Sequence, residues 1–102
     1  MDKERLIRKL NSVGKEAFVD HYYLFKDYAN NRILKDSAIQ KLVGVGRSNE
    51  EGASIRLGNA KTIFTENGSC EALLMIQLSK RVSEETKRTA KSIYQEDCGR
   101  KT

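Results

Sequence analysis

The amino-acid sequence predicts an all-α fold, a compact single-domain bundle of five helices. Proline is absent, and apolar residues recur at intervals of three and four rather than alternating with polar ones. Serines that can cap helices stand before most of the apolar runs. The length of 102 residues is enough to bury one core and too little for two. We therefore expect a single helical domain over residues 1–96 and a disordered tail over residues 97–102.

The first predicted helix is long and carries one continuous apolar face. Seven residues spaced by three or four positions lie on one line of this helix: Leu6, Leu10, Val13, Ala17, His21, Leu24 and Tyr28. The helix is expected to bend or break within residues 11–14, where Ser12 can cap a second segment. It should end near Asn30 and Asn31, because asparagine tolerates a left-handed turn.

A short second helix is predicted from Asp36 or Ser37, either of which can cap it, to Gly44. A turn of about four residues, from Gly44 to Arg47, then leads into a third helix. The glycines here lack the spacing of a dinucleotide fingerprint or a P-loop. A short turn that contains glycine is typical of a helix-turn-helix, so we expect a helix-turn-helix-like corner around residues 37–67.

The third predicted helix begins at Ser48, which forms a capping box with Glu51, and ends at Asn67-Gly68. Its inward face contains Ala53, Leu57, Ala60 and Phe64, flanked by Ile63. Its opposite face carries Gly52, Ile55, Gly58, Asn59 and Thr62. Each helix-interior glycine costs about 1 kcal/mol relative to alanine. We therefore expect that either another helix of the chain packs closely on this face, or that the face docks a partner.

Two further helices complete the predicted bundle. Ser69 is expected to cap the fourth, from Cys70 to about Lys80, which is apolar on nearly all sides and should be the most buried element. Ser83 is expected to cap the fifth. The inward stripe of the fifth helix is Val82, Thr86, Ala90, Ile93 and Tyr94. After Gln95 no apolar residue anchors the chain, which predicts a frayed tail.

The composition favours an anionic partner and argues against a membrane protein. The net charge is +5 with a sequence pI near 9.3. No apolar run approaches the ~20 residues that a membrane span requires, and the N-terminus lacks the pattern of a secretory signal. We expect a cytoplasmic protein in which Cys70 and Cys98 are free, reduced thiols. The first-turn position of Cys70 can make its thiol reactive, or Cys70 can simply fill the core.

No catalytic or metal site is predicted. His21 is the single histidine and lies on the apolar line of the first helix. Neither a second histidine nor suitably spaced cysteines complete a zinc site with it. No motif pairs a nucleophile with a base. We expect a non-enzymatic protein without cofactor, metal or small-molecule substrate.

The first functional hypothesis is nucleic-acid binding through the helix-turn-helix-like corner. In that motif the first turns of the second helix approach base edges or phosphates. The candidate residues are Arg47, Ser48, Asn49 and Arg56, aided by a basic rim of Lys80, Arg81, Lys87, Arg88 and Lys91. Glu50 and Glu51 oppose this hypothesis because carboxylates repel phosphates. The alternatives are an ordinary helix-helix corner and a solvated charged face.

The second hypothesis is a protein-interaction module, or a small homodimeric regulator or inhibitor, that acts through an exposed helix face. One candidate patch is Val19, Tyr23 and Lys26 on the first helix, where an exposed aromatic can anchor an interface. The other is Ile55, Gly58 and Thr62 on the third helix. Ordinary surface exposure of Tyr23, and burial of the third helix within its own bundle, are the structural alternatives.

Overall fold

The computed structural model describes residues 1–44 and 49–99, and these residues form seven α-helices followed by one π-helical turn. The helices are α1 (Lys3–Val13), α2 (Lys15–Asp20), α3 (Tyr22–Ala29), α4 (Lys35–Gly44), α5 (Glu50–Thr65), α6 (Ser69–Leu78) and α7 (Glu84–Ile93). The π-helical turn is Tyr94–Cys98, named the C-terminal turn below. The predicted all-α class is confirmed. The helix count within the described residues exceeds the expected five because the first predicted helix is divided into three.

The first predicted helix breaks at two places. The predicted break within residues 11–14 is confirmed at Gly14, whose φ of +94° favours glycine. Ser12 does not cap the next segment, because its hydroxyl donates to the carbonyl of Arg8. The second break, at His21, is not predicted by the continuous apolar spacing. The expected end is confirmed: α3 ends at Ala29, and Asn31 takes a φ of +61°.

Helix α5 is the central element of the globule, since it packs against α1, α3, α4 and α6. Its buried face is Ala53, Leu57, Ala60 and Ile63. Phe64, expected inward, is half-buried and contributes its ring to the cluster of Phe18 and Tyr22. The expectation that α6 is the most buried element is wrong, because Leu74 and Leu78 of α6 are exposed.

The helix ends agree only partly with the predicted caps. Ser83 caps α7 as predicted, accepting from the backbone N–H of Thr86 at 3.1 Å. Asn49 caps α5 by accepting from the N–H of Gly52 at 2.7 Å, whereas Ser48 lies outside the described residues. The predicted caps at Asp36, Ser37 and Ser69 are wrong, because each of these residues lies inside the first turn of its helix. The α5 stop is confirmed, with Asn67 at a φ of +61°.

A disulfide joins Cys70 to Cys98, with 6.0 Å between the Cα atoms. The prediction of two free thiols is therefore wrong, because the bundle brings the start of α6 beside the C-terminal turn. The predicted frayed tail after Gln95 is also wrong for residues 96–99, which are held by this crosslink and by contacts of Asp97. Structural disulfides are typical of oxidising compartments. A cytoplasmic location stays a prediction.

Asp97 anchors the C-terminal turn to α3. Its carboxylate accepts from the hydroxyl of Tyr22 at 2.5 Å and forms an ion pair with Lys26. Burial raises the pKa of the Tyr22 phenol, and its hydrogen bond to Asp97 raises that pKa further.

Among the helices of the described residues, none combines the length and the apolar character that crossing a membrane requires.

Candidate nucleic-acid interface

Two depressions lie along the line where α1 packs against α5, and cations predominate in both. The helices run antiparallel there, because Arg5 near the start of α1 pairs with Glu66 after the end of α5. Buried positions on α1 are Leu6, Leu10 and Val13. The flank of α1 beside these positions, at intervals of three and four, carries Arg5, Arg8, Lys9 and Ser12.

The first depression, of about 190 Å³, is lined by Arg5, Arg8, Lys9 and Ser12 of α1 and by Asn59 of α5. Arg8 is exposed and Lys9 is half-buried. The amide nitrogen of Asn59 donates to the carbonyl of Ile55 at 3.0 Å. The cationic groups of Arg8 and Lys9 are the lining groups that suit an anionic oxygen.

The second depression, a cleft of about 670 Å³, lies where α1 passes into α2. It is lined by Asn11, Val13, Gly14, Lys15, Glu16, Ala17, Arg56, Arg81 and Val82. Three cations thus converge from three segments: Lys15 from α2, Arg56 from α5 and Arg81 from the loop before α7. Glu16 is the carboxylate among these lining residues. We name the cations of the two depressions, Arg8, Lys9, Lys15, Arg56 and Arg81, the basic seam.

The charge of Arg5 is compensated at the edge of the basic seam. Its guanidinium donates two hydrogen bonds to the Glu66 carboxylate, from Nε at 3.0 Å and from Nη2 at 2.9 Å. These bonds hold the pKa of Glu66 below its usual value and raise the pKa of Arg5. Arg5 therefore braces α1 against the end of α5, and the cations of the seam begin one turn later.

The structure brings together two of the predicted nucleic-acid-binding residues, Arg56 and Arg81, which are 25 positions apart in the sequence. Asn49 is exposed, with its side-chain oxygen used in the α5 cap. Arg47 and Ser48, with most of the predicted turn of the helix-turn-helix-like corner, lie outside the described residues.

The remaining predicted cations do not line the cleft. Lys80 is exposed beside Arg81. Arg88 and Lys91 are exposed on the side of α7 away from its buried stripe, whereas Lys87 is half-buried at the flank of that stripe. Lys87 is 3.5 Å from the Glu84 carboxylate. The predicted basic rim is therefore divided, with Arg81 in the cleft and the α7 cations on another surface.

Three cations of the basic seam, Arg8, Lys9 and Lys15, were not among the predicted site residues. The signal for two of them is present in the sequence, since Arg5, Arg8, Lys9 and Ser12 share one helix flank. Their value as a site depends on Arg56 and Arg81 lying nearby, and no local spacing encodes that proximity.

The first predicted partner patch does not form an open surface. Val19 is only 3% exposed and belongs to the core, so its assignment to an interface is wrong. The breaks at Gly14 and His21 explain the error, because a helical pattern cannot be carried across them. Tyr23 is 43% exposed, but its hydroxyl donates to Glu96 at 3.0 Å. Lys26 pairs with Asp97, so the C-terminal turn already contacts this patch.

The second predicted partner patch lies on the outer face of α5. Ile55 is 54% exposed, and Thr62 is half-buried with its hydroxyl bonded to the carbonyl of Gly58. Within the described residues, no heavy atom beyond α5 itself and the adjacent residues lies within 4 Å of where a Cβ would stand on Gly58. Of the two alternatives for this face, close packing of another helix of the chain is therefore wrong at Gly58 within the described residues.

The single histidine does not lie in a metal cluster. His21 is half-buried at the junction of α2 and α3, with its ring edge-on to Phe25 at 6.0 Å between centroids. Among residues 1–44 and 49–99, no group of three or more histidine, cysteine or carboxylate side chains is arranged to hold a metal ion.

The chain matches no protein family, no curated protein and no solved structure. Its function is therefore inferred from its own surfaces. Of the surfaces described above, the basic seam gathers cations from the most segments of the chain.

Proposed function

We propose that this chain is a small non-enzymatic nucleic-acid-binding protein that contacts the phosphate backbone through the basic seam. The observation that supports the proposal is the convergence of Arg56, Arg81 and Lys15 on one cleft, from three separate segments. Arg8 and Lys9 continue the positive surface along α1. The net charge of +5 acts in the same direction, because it attracts polyanions.

The dimensions of the basic seam suit a short length of nucleic-acid backbone. From Arg8 to Val13, where α1 ends, the helix rises by about 8 Å at 1.5 Å per residue, and Lys15 follows the break at Gly14. A duplex strand carries one phosphate per 3.4 Å of axis, so the seam faces roughly three phosphates. Guanidinium groups such as those of Arg56 and Arg81 suit this role because they donate paired hydrogen bonds to phosphate oxygens.

The structure favours contact with the nucleic-acid phosphate backbone over a model in which α5 recognises bases. In a helix-turn-helix, α5 would enter the major groove with its first turns. Glu50 and Glu51 occupy those turns, and the outer face beyond them carries Ile55 and Gly58 rather than cations. Phosphate contacts by themselves carry little sequence information. We therefore expect weak sequence preference, with the helix-turn-helix-like corner acting as a scaffold for Arg56.

The test is duplex DNA binding measured by fluorescence anisotropy over a series of salt concentrations. We expect Arg56→Gln/Arg81→Gln to weaken binding by about tenfold or more. The slope of log affinity against log salt should also fall by roughly 2, since each lost phosphate contact contributes about 0.9. The matched control is Arg88→Gln/Lys91→Gln, which changes the net charge equally on the far side of α7.

The proposal fails if the unaltered protein shows no binding at low salt, where phosphate contacts are strongest. It also fails if the seam variant and the α7 control lose affinity equally, because the effect would then follow net charge and not the geometry of the cleft. Circular dichroism on each variant separates loss of binding from loss of folding.

A second candidate function is a protein-interaction module or homodimeric regulator that uses the outer face of α5. The exposure of Ile55 beside the open backbone at Gly58 favours it, since a partner helix could approach closely there. Sedimentation velocity on Ile55→Arg, with Leu34→Arg as an exposed control, tests self-association. If the unaltered protein is an oligomer that dissociates in Ile55→Arg but not in Leu34→Arg, the homodimer hypothesis is supported. If the unaltered protein is already monomeric, the homodimer hypothesis is excluded.

A further inference from the structure

The flank of α1 opposite the basic seam forms an apolar groove with α6. The groove has a volume of about 320 Å³ and is lined by Lys3, Ile7, Leu10, Asn11, Lys15, Met75, Leu78 and Ser79. Leu78 is 82% exposed, and Ile7 is also exposed. Ile7, Met75 and Leu78 thus form one partly exposed apolar patch, and a contiguous patch rimmed by polar residues is typical of a surface that binds another molecule. We name this surface the α1–α6 groove.

Positive charge stands at both ends of the α1–α6 groove. Lys3 lies at the start of α1, and Lys15 lies just beyond its end, with its ammonium 3.3 Å from the hydroxyl oxygen of Ser79. The helix between them, α1, has 11 residues and is about 16 Å long at the helical rise. Among the described residues, none of those that line the groove carries a carboxylate.

We propose that the α1–α6 groove binds an acidic amphipathic α-helix of a partner protein. The apolar floor matches one face of such a helix, with side chains at intervals of three and four residues. A length of about 16 Å corresponds to a ligand of about three turns, with carboxylates near both ends that reach Lys3 and Lys15. Met75 suits the floor because its flexible side chain adapts to different apolar surfaces.

This inference is independent of the proposed nucleic-acid contact, although the two surfaces meet. Asn11 and Lys15 line both the α1–α6 groove and the second depression of the basic seam, the cleft that contains Arg56. An acidic helix in the groove therefore competes with phosphates for Lys15. Peptide binding is measured without nucleic acid, so the failure of one proposal leaves the other standing.

The test uses the full chain, with its disulfide intact, and a synthetic helical peptide of about 15 residues capped at both ends. The peptide carries leucines on one face and glutamates in its first and last turns. We expect saturable binding by isothermal titration calorimetry, weakened about tenfold by Leu78→Ser. Leu34→Ser is the matched control, because Leu34 is 78% exposed before α4 and does not line the groove.

The charges are tested separately with Lys3→Glu, which spares the residues of the basic seam. This change should weaken binding of the acidic peptide by about threefold and improve binding of a peptide with lysines in place of the terminal glutamates. Lys35→Glu, at the exposed start of α4, is the charge-matched control and should alter neither affinity.

Four results overturn the proposal: no binding of the acidic peptide, equal binding by unaltered protein and Leu78→Ser, self-association through Leu78, and preference for phosphatidylglycerol vesicles over the peptide. Self-association would assign the groove to a second copy of the chain, and vesicle binding would assign it to a lipid surface. Leu78→Ser is expected to fold normally, because the side chain that it removes is largely solvent-exposed.

Discussion

The basic seam and the C-terminal turn both bring together segments that are distant in the sequence, but different forces hold them. Beneath the seam, fully buried aliphatic side chains of α1 and α5 belong to one core cluster: Leu6, Leu10, Leu57 and Ile63. The C-terminal turn buries Cys98, and its other attachments are polar, through Asp97 and Glu96. Apolar burial thus fixes the seam, whereas a crosslink and hydrogen bonds fix the turn.

The charged residues of the two regions are also arranged differently. At the C-terminal turn, Asp97 is engaged by Lys26 and Tyr22, and Glu96 accepts from Tyr23. These charged groups therefore hold the structure. At the seam, packing leaves cations grouped around two surface depressions. The same residue types consequently have a structural role in one region and are proposed to bind a ligand in the other.

The largest expected loss of stability follows from removing a buried side chain beneath the basic seam. Leu57→Ala should lower the free energy of unfolding by about 3–5 kcal/mol, because it removes a fully buried side chain from the central helix and leaves a cavity. Urea denaturation followed by circular dichroism measures the change. Leu74→Ala on the exposed side of α6 is the control, and an equal loss in both variants would contradict the central role of α5.

Removal of the disulfide should have the next largest effect. The crosslink closes 28 residues, so Cys70→Ser/Cys98→Ser should lower the free energy of unfolding by about 3 kcal/mol. Hydrogen exchange should show the fastest opening in residues 94–99, while α1 and α5 keep their relative protection.

The double-serine variant also shows whether the seam and the C-terminal turn depend on each other. Duplex binding by the double-serine variant should remain unchanged at temperatures where it is folded, because the seam does not depend on Cys98. If binding is lost together with the crosslink while the far-ultraviolet circular dichroism is retained, then the C-terminal turn supports the site and the two regions are coupled.

A smaller change, a gain in stability, is expected from a substitution on the outer face of α5. Gly58→Ala should raise the free energy of unfolding by about 0.5–1 kcal/mol, since a helix-interior glycine is replaced where a Cβ meets open space. The thermal midpoint of unfolding measures the gain. Gly14→Ala is the contrasting variant and should destabilise, because Gly14 has a φ of +94°. Stabilisation by both changes would contradict the backbone geometry.

The smallest effect concerns the ion pair at the edge of the seam. Arg5 lowers the pKa of Glu66 in the folded chain, so the stabilisation is present above the usual glutamate pKa of 4.5. It is lost as the pH falls through the lower folded pKa. Glu66→Gln should therefore reduce the unfolding midpoint slightly at neutral pH and make no difference in strong acid. Glu71→Gln, an exposed change on α6, is the control.

Local signals in the sequence predicted much of the helical order. The Ser83 cap, the stop at Asn67 and the break at Gly14 each depend on neighbouring residues, and each is confirmed. The break at His21 was missed because its flanking apolar residues keep helical spacing. Val19 was misplaced for the same reason, since a face assigned from spacing holds only while the helix continues.

The candidate site was predictable only in part. Residue type identified Arg56 and Arg81 as cations suited to phosphate, and the outer position of Ile55 followed from the periodicity of its helix. Neither signal places Lys15 beside Arg56, because the two residues meet only when α1 and α5 pack antiparallel. The pairing of Cys70 with Cys98 was missed because it depends in the same way on the position of the C-terminal turn.

Capping, helical spacing and composition are local properties, and they were enough to predict the all-α class, several helix ends and the positive charge. The central position of α5, the Cys70–Cys98 crosslink and the division of the cations between the seam and α7 follow from the packing of the folded chain. Those outcomes depend on how buried faces fit together across the whole chain. The two flanks of α1, one cationic and one apolar, acquire their different partners only when α5 and α6 pack on either side.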